Sequence, residues 1–175
     1  VVDTWKSVKG EKHLIERLAV GETYTLREEL APYGYLKAEE ITFTIEDTGE
    51  IQKVEMKDDV PTGTILINKN GEFLDKVTPL DSVKAADGES EDYYKKDELV
   101  ATITADDTGV AKVSGLPLGK YYVKEKATVD GFVLDDKARK IDLTYRDQDT
   151  AEVTYSADWQ NNRQKAEVEV VKKEK

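Results

Sequence analysis

Two glutamates occupy positions where a carboxylate is unusual, because each ends a stretch of alternating apolar and polar residues. Glu125 lies in the run 119–132, GKYYVKEKATVDGF, and Glu28 lies in the run 21–35, GETYTLREELAPYGY. Side chains at i, i+2 and i+4 of a strand share one face. Each carboxylate is therefore expected on an apolar face, where it must be protonated or paired with a specific partner.

The two runs follow one pattern, which is Gly, a polar residue, an aromatic residue, alternation, Glu, then Ala and a Gly-aromatic pair after a few residues. The residues that share a predicted strand face with the two glutamates are Tyr24 and Leu26 in the first run, and Tyr121 and Val123 in the second. Because a repeated pattern is typical of repeated structural units, the sequence predicts two domains of one kind.

A lysine occupies an equally unusual position in the run TILINKNGEFL, residues 64–74. Alternation in this run places Ile65, Ile67 and Lys69 on one face of a strand. The alternative is a lysine at a strand edge, whose ammonium group extends to solvent while its methylene groups stay on the apolar surface.

The composition limits both the architecture and the class of partner. The 175 residues carry a net charge of −11, and 38% are hydrophobic against 36% charged, which suits small sandwiches with thin cores. There is no cysteine, so disulfides cannot hold these domains together and another covalent link is worth seeking. No basic patch stands out, so nucleic acid is not an expected partner. No apolar run approaches the roughly 20 residues that span a bilayer.

The elements that must position these side chains are predicted to be β-strands. No segment shows sustained helical periodicity, and turn signals recur at intervals of roughly 8–12 residues, which is typical of a β-sandwich. We predict a strand at 1–6, a hairpin over 41–57 with its turn at 47–50, and a polar loop or disordered segment over 75–98. The run 58–63 combines two acids with Pro and Gly, and it is predicted to mark the domain boundary.

With these motifs identified, the chain resembles the CnaB-type (SpaA-like, prealbumin-like) domains of Gram-positive pilins and adhesin stalks. The resemblance rests on the motif E-x-x-A-P-x-G-Y at 28–35, on a looser copy within 116–132, and on the run 161–173, NNRQKAEVEVVKK. It implies an all-β fold of tandem Ig-like or prealbumin-like β-sandwich domains. Residues 1–60 would form a partial domain without its first strand, and residues 61–165 would form a complete one.

In domains of this type an intramolecular isopeptide bond joins a lysine on the first strand to an Asn or Asp on the last, assisted by a buried glutamate. The resemblance assigns these roles to Lys69, Asn161 and Glu125, with Asn162 as the alternative acceptor. A one-residue slip would turn the acceptor to the opposite face. Desolvation would favour a neutral amine and a protonated acid, so the amine could attack while the acid moves protons and ammonia leaves. Taken alone, Asn161 could also be a turn residue before a charged segment.

The first unit departs from this pattern, because its lysine-bearing strand is expected to precede the first residue of the chain. It keeps the matching acid, Glu28, and a candidate acceptor, Asp58. Residues 166–175 are predicted to be a linker or the first strand of a following domain, with Lys172 at the lysine position. We also expect that residues 166–172 could pair with the open edge of the first unit in another copy of the chain.

The resemblance implies a structural stalk or shaft module of a Gram-positive surface pilin or adhesin, whose partners are neighbouring domains of the same protein. Its location would be extracellular and anchored to the cell wall, and its only catalysis would be a single turnover on itself. No cofactor is expected, and no metal site either, since the lone His13 has no second His or Cys and the acids at 106–107 and 147–149 suit turns. The alternative is an adhesin domain that binds a host protein or glycan, supported by Tyr93 and Tyr94.

Overall fold

The computed structural model describes residues 1–69, 76–79, 83–84 and 92–173. Within those ranges the regular secondary structure consists of strands, and no helix there is long and apolar enough to cross a bilayer. The predicted all-β class is therefore confirmed. The strands are β1 Thr23–Leu26, β2 Ile41–Thr44, β3 Thr62–Lys69, β4 Lys76–Pro79, β5 Val83–Lys84, β6 Asp92–Tyr94, β7 Val110–Pro117, β8 Gly119–Lys124, β9 Arg139–Leu143 and β10 Glu152–Trp159.

Two three-stranded sheets, in the orders β10-β3-β7 and β4-β8-β9, form the main body of the fold. β3 lies at the centre of the first sheet, where it pairs antiparallel with β7 and parallel with β10. Parallel neighbours need a long crossover connection, which the strands from β4 to β9 supply here. The parallel register sets Lys69, at the end of β3, opposite Trp159, at the end of β10.

The hydrophobic core takes its members from the strand positions that alternation predicts. Ile65 and Ile67 of β3 are fully buried, and so are Tyr121 and Val123 of β8. Full burial of such a side chain contributes about 1.5–3 kcal/mol. The apolar faces predicted for β3 and β8 are therefore confirmed, and each face continues at its end into an ionisable residue.

Gly63 of β3 lies against Leu143 of β9. A Cβ atom at this position would stand 3.2 Å from Leu143 Cγ and closer still to Leu143 Cδ1. Leu143 is buried, so its side chain can turn only by displacing its neighbours in the core. We expect Gly63→Ala to lower the free energy of unfolding by about 1–3 kcal/mol in a denaturant titration.

The contact between these two residues provides the control for that prediction. Leu143→Ala removes the two atoms that the new methyl group would meet, so adding Gly63→Ala to Leu143→Ala should cost much less than adding it to the parent chain. If the two single losses in the free energy of unfolding simply add in the double variant, the penalty of Gly63→Ala does not come from this contact.

The first unit contains a two-stranded antiparallel sheet made of β1 and β2. Tyr24, Leu26 and Glu28 share one face, as predicted, but they are half-buried rather than buried. An isolated two-stranded sheet offers little apolar surface for packing, which explains their partial exposure. The rings of Tyr24 and Phe43 lie across the strand pair with 6.2 Å between their centroids.

The hairpin predicted over 41–57 is wrong. β2 pairs with β1 instead, and residues 51–60 form no strand. Gln52 contacts β2 through its side chain and not through strand pairing, since its Nε2 donates to Thr44 O at 2.9 Å. The chain still bends at 47–50, with Gly49 in the left-handed region at a φ of 68°.

Two further segment predictions are wrong. Residues 1–6 form no strand. Trp5 instead stacks on His13 with 4.3 Å between ring centroids, and His13 Nε2 lies 2.8 Å from Asp3 Oδ2. The range 75–98, predicted to lack regular structure, contains β4, which pairs with β8, and β5, which pairs with β6. The residues of this range between those strands lie outside the described part of the chain.

Hydrogen bonds link the first unit to the segment between β9 and β10. Ala31 N donates to Gln148 Oε1 at 2.9 Å, and Lys37 N donates to Gln148 O at the same distance. Tyr145 OH donates to Tyr35 O at 3.1 Å. These bonds fasten the two predicted units to each other, while the division into domains itself stays a prediction.

Candidate functional site

Lys69 is held at the end of β3 by the ladder on both sides of that strand. Its backbone N donates to Gly109 O at 2.5 Å, and its register partner in β10 is Trp159. Because Lys69 continues the face of Ile65 and Ile67, its side chain points into the core and is only 1% exposed. The alternative, in which the Lys69 ammonium group extends to solvent from a strand edge, is therefore wrong.

Glu125 follows the last residue of β8 and continues the face of Tyr121 and Val123. Its side chain is also 1% exposed, and its Oε1 is in direct contact with Lys69 Nζ. Oε2 accepts a hydrogen bond from Asp135 N at 2.8 Å. The carboxylate is thus paired with a specific cation and a specific backbone donor, as burial of a charge requires.

Asn161 lies two residues beyond the end of β10, and it is buried. Its Oδ1 accepts from Lys69 Nζ at 3.0 Å, and its Nδ2 donates to Glu125 Oε1 at 3.0 Å and Oε2 at 2.8 Å. A further bond joins Nδ2 to Thr128 Oγ1 at 3.0 Å. The alternative acceptor, Asn162, is exposed, and its backbone O accepts from Val133 N. The structure therefore brings Asn161 to the lysine and the glutamate, and leaves the Asn162 side chain outside.

Lys69 Nζ contacts the Glu125 carboxylate inside the core, so a proton can pass directly between the two groups. Lys69 and Glu125 form a buried ion pair whose desolvation is costly. Moving one proton from Nζ to the carboxylate replaces the pair by a neutral amine and a neutral acid, without changing the net charge. The amine then lies beside a carboxamide whose nitrogen already faces the acid, which is an arrangement suited to displacing ammonia.

A second layer of side chains supports the site. Arg139 donates to Asp135 Oδ2 at 2.6 Å, and this hydrogen bond holds the pKa of Asp135 below its usual range. The guanidinium of Arg139 also lies 4.3 Å from the centroid of the Trp159 ring. Asp135 donates its backbone N–H to Glu125, and Trp159 is the register partner of Lys69. Arg139 therefore links the glutamate side of the site to the lysine side. This role could not be predicted from the sequence, because one Arg among many charged residues has no distinguishing spacing.

The first unit repeats part of this geometry around Glu28. Its Oε2 accepts from Ala38 N at 2.8 Å, ten residues later, and Glu125 bonds the residue ten positions later in the same way. Asp58 has a raised pKa because it is partly desolvated and because the carboxyl of Glu28 faces it and hydrogen-bonds it. The structure thus brings the two predicted acids of the first unit together. Lys172 lies in an exposed segment that forms no strand.

The remaining candidates do not form a site. In the described part of the chain no cluster of His, Cys, Asp and Glu could hold a metal ion. Asp106 is a turn acid, since its Oδ1 accepts from the backbone N of Thr108 at 2.9 Å and of Val110 at 3.0 Å. Tyr93 is exposed and lines a cavity of about 280 Å³. Tyr94 packs against the core instead.

Comparison with models of protein families identifies the family of this chain. The family model described as the SpaA prealbumin-like fold domain matches residues 1–60 and 83–163. The chain belongs to this SpaA family. The match includes both glutamates and Asn161, while Lys69 lies in the interval between the two matched ranges. No curated protein matches the chain.

Solved structures that match the chain include proteins of Bacillus anthracis, Streptococcus agalactiae and Lactobacillus rhamnosus GG. The Bacillus anthracis TIE protein is 23% identical, with a TM-score of 0.47 over 80% of this chain and 24% of that one. The minor pilin GBS52 of Streptococcus agalactiae is 12% identical, with a TM-score of 0.42 over 77% of this chain and 57% of that one. The shaft pilin SpaA of Lactobacillus rhamnosus GG is 14% identical, with a TM-score of 0.39 over 83% of this chain and 66% of that one. This SpaA-family chain thus spans about a quarter to two thirds of the proteins it resembles.

Proposed function

We propose that this chain is a structural module of a pilin or adhesin stalk on a Gram-positive cell surface, and that an isopeptide bond joins Lys69 to Asn161. The observation that carries the proposal is the buried contact of the Lys69 amine with both Glu125 and the Asn161 carboxamide. Membership of the SpaA prealbumin-like family supports the same role. The module would be extracellular and attached to the cell wall through neighbouring domains of the same protein.

The bond forms in steps that the three side chains complete by themselves. Glu125 takes a proton from the Lys69 ammonium, and the neutral amine attacks Asn161 Cγ. The Nζ–Cγ bond forms as the Cγ–Nδ2 bond breaks, and Glu125 delivers a proton to Nδ2, which lies 2.8 Å from its Oε2. Ammonia leaves, and the second proton lost by Nζ remains on Glu125. The reaction consumes the site, so each molecule turns over once.

The fold holds the reacting groups in the geometry that this reaction needs. An amide is a poor electrophile, but groups fixed in reactive geometry reach effective molarities of ~10⁵–10⁸ M. The parallel pairing of β3 with β10 fixes the lysine and the asparagine beside each other, and β8 brings the acid between them. No external enzyme or cofactor is needed for the chemistry.

Intact-mass spectrometry tests the proposal directly. We expect the purified chain to be lighter than its sequence by one ammonia, and a proteolytic digest should contain the peptides of Lys69 and Asn161 joined. Lys69→Met and Asn161→Ala should each have the full sequence mass. The matched control is Asn162→Ala, which should lose ammonia like the parent chain because the Asn162 side chain is exposed. A parent chain at full sequence mass would overturn the proposed bond.

The alternative of a ligand-binding adhesin stays a prediction. The cavity beside Tyr93 is lined by further tyrosine and proline residues at the junction of the two predicted units. It indicates no particular ligand, so we favour the structural role.

A further inference from the structure

Thr128 contacts the Asn161 carboxamide, although neither the family resemblance nor the sequence pattern assigned it a role. Its hydroxyl lies 3.0 Å from Asn161 Nδ2, the atom that would leave as ammonia. Nδ2 carries two N–H groups, and the site offers both a carboxylate and a hydroxyl to accept them. One N–H can therefore point to Glu125 while the other points to Thr128.

These two acceptors, together with the Lys69 donor, hold the Asn161 carboxamide in one orientation. With Nδ2 directed at Glu125 and Thr128, Oδ1 faces Lys69 Nζ at 3.0 Å. Half a turn of the amide would place two donors, Nζ and Nδ2, against each other and would set Oδ1 against the carboxylate oxygens. The observed orientation keeps the leaving nitrogen beside the acid that must protonate it.

The first unit provides an internal comparison at the same position. Thr128 lies three residues after Glu125 and three before Gly131, and Ala31 lies three residues after Glu28 and three before Gly34. The two glycines adopt similar left-handed φ values, 84° and 92°. The two loops also close with equivalent hydrogen bonds, from Phe132 N to Val129 O and from Tyr35 N to Pro32 O. Ala31 and Thr128 are therefore equivalent positions.

The two units differ at this position, and they also differ in the type of acceptor. The unit with a carboxamide acceptor, Asn161, has Thr128, whereas the unit with the carboxyl group of Asp58 has Ala31. A carboxyl acceptor would lose water and has no amide N–H groups that need a partner. A hydroxyl at this position therefore has an N–H group to accept only where the group that lysine attacks is an amide.

We propose that Thr128 is a positioning residue that orients the Asn161 carboxamide for the loss of ammonia. The inference rests on the proposed isopeptide bond. Thr128 transfers no proton; it accepts one N–H of Nδ2 while the Nζ–Cγ bond forms and Glu125 protonates the same nitrogen. Its effect is specific to an amide acceptor.

The rate of ammonia loss tests this role. The chain is synthesised in a cell-free reaction, samples are quenched in acid at intervals, and intact mass gives the fraction that has lost ammonia. We expect Thr128→Val to slow the loss about tenfold, since one hydrogen bond to the reacting amide is removed. Thr128→Ser keeps the hydroxyl and should react at close to the parent rate.

A second acceptor separates orientation from a merely structural effect. In Asn161→Asp we expect the bond to form with loss of water, and adding Thr128→Val to that variant should leave the rate unchanged. An equal slowing with Asn and Asp acceptors would overturn the inference, and so would Thr128→Val reacting at the parent rate. A parent chain that never loses ammonia would instead refute the proposed bond, so the two failures are distinguishable. Denaturant titrations of Thr128→Val in the unreactive Lys69→Met chain check that the fold is intact.

Discussion

Glu125→Gln is expected to leave Lys69 and Asn161 unjoined and to lower the thermal midpoint by roughly 10–20 °C. Glutamine fills the same volume but cannot accept a proton from Nζ, so the amine stays charged and cannot attack. The lost bond would have closed a loop between residues 92 positions apart, and a cross-link of that span contributes about 4–5 kcal/mol through the entropy of the unfolded chain. Intact mass and a calorimetric melt measure the two effects.

Two variants separate the lost bond from the charge that the substitution leaves behind. Glu125→Gln strands a buried ammonium without its counter-charge, which adds its own penalty and could prevent folding. The double variant Lys69→Met with Glu125→Gln has neither bond nor charge, so it should melt between the parent chain and Glu125→Gln. The matched control, Glu28→Gln, changes the equivalent acid of the first unit and should still show the loss of ammonia. Loss of ammonia in Glu125→Gln would contradict the assigned role of the acid.

The positions of Lys69 and Glu125 could be predicted because period-2 alternation fixes the face of each strand residue, whereas Asn161 was expected only from the family resemblance. Once Ile65 and Ile67 are recognised as core, Lys69 must share their face. The same argument applies to Glu125 after Tyr121 and Val123. Such an argument needs only neighbours in the sequence, so it does not depend on the strand order.

Prediction from the sequence failed where the result depends on which distant segments pair or meet in the fold. The segment after Gly49 has a local signal for a hairpin, but β2 pairs with β1, where Thr23 and Thr44 also join through their hydroxyls at 2.9 Å. Alternation shows that a segment can form a strand, but it does not show which segment that strand will pair with. The same limit applies to Thr128, whose importance depends on the fold bringing it to an asparagine 33 residues later.

Mechanical unfolding is expected to differ most between the bonded and unbonded chains. In the structure β3 and β10 are parallel neighbours, and Lys69 and Asn161 lie at the same end of that pair. A bond between them makes the intervening chain a closed ring, so tension applied through the two ends of the chain passes through the bond and not through the ring. The ring contains nearly all of the second predicted unit, including both strands β8 and β9.

Single-molecule stretching from the two termini should therefore show a missing extension in the parent chain. Residues 69 and 161 are 92 positions apart, and full extension of that segment would release about 300 Å. We expect an unfolding step of that size in Lys69→Met and no such step in the parent chain, while Asn162→Ala behaves like the parent. A step of about 300 Å in a parent chain that has lost ammonia would place the bond between other residues. The comparison thus locates the cross-link by the length of the released segment, independently of mass. It also measures the property that the proposed stalk role requires, which is to transmit tension without lengthening.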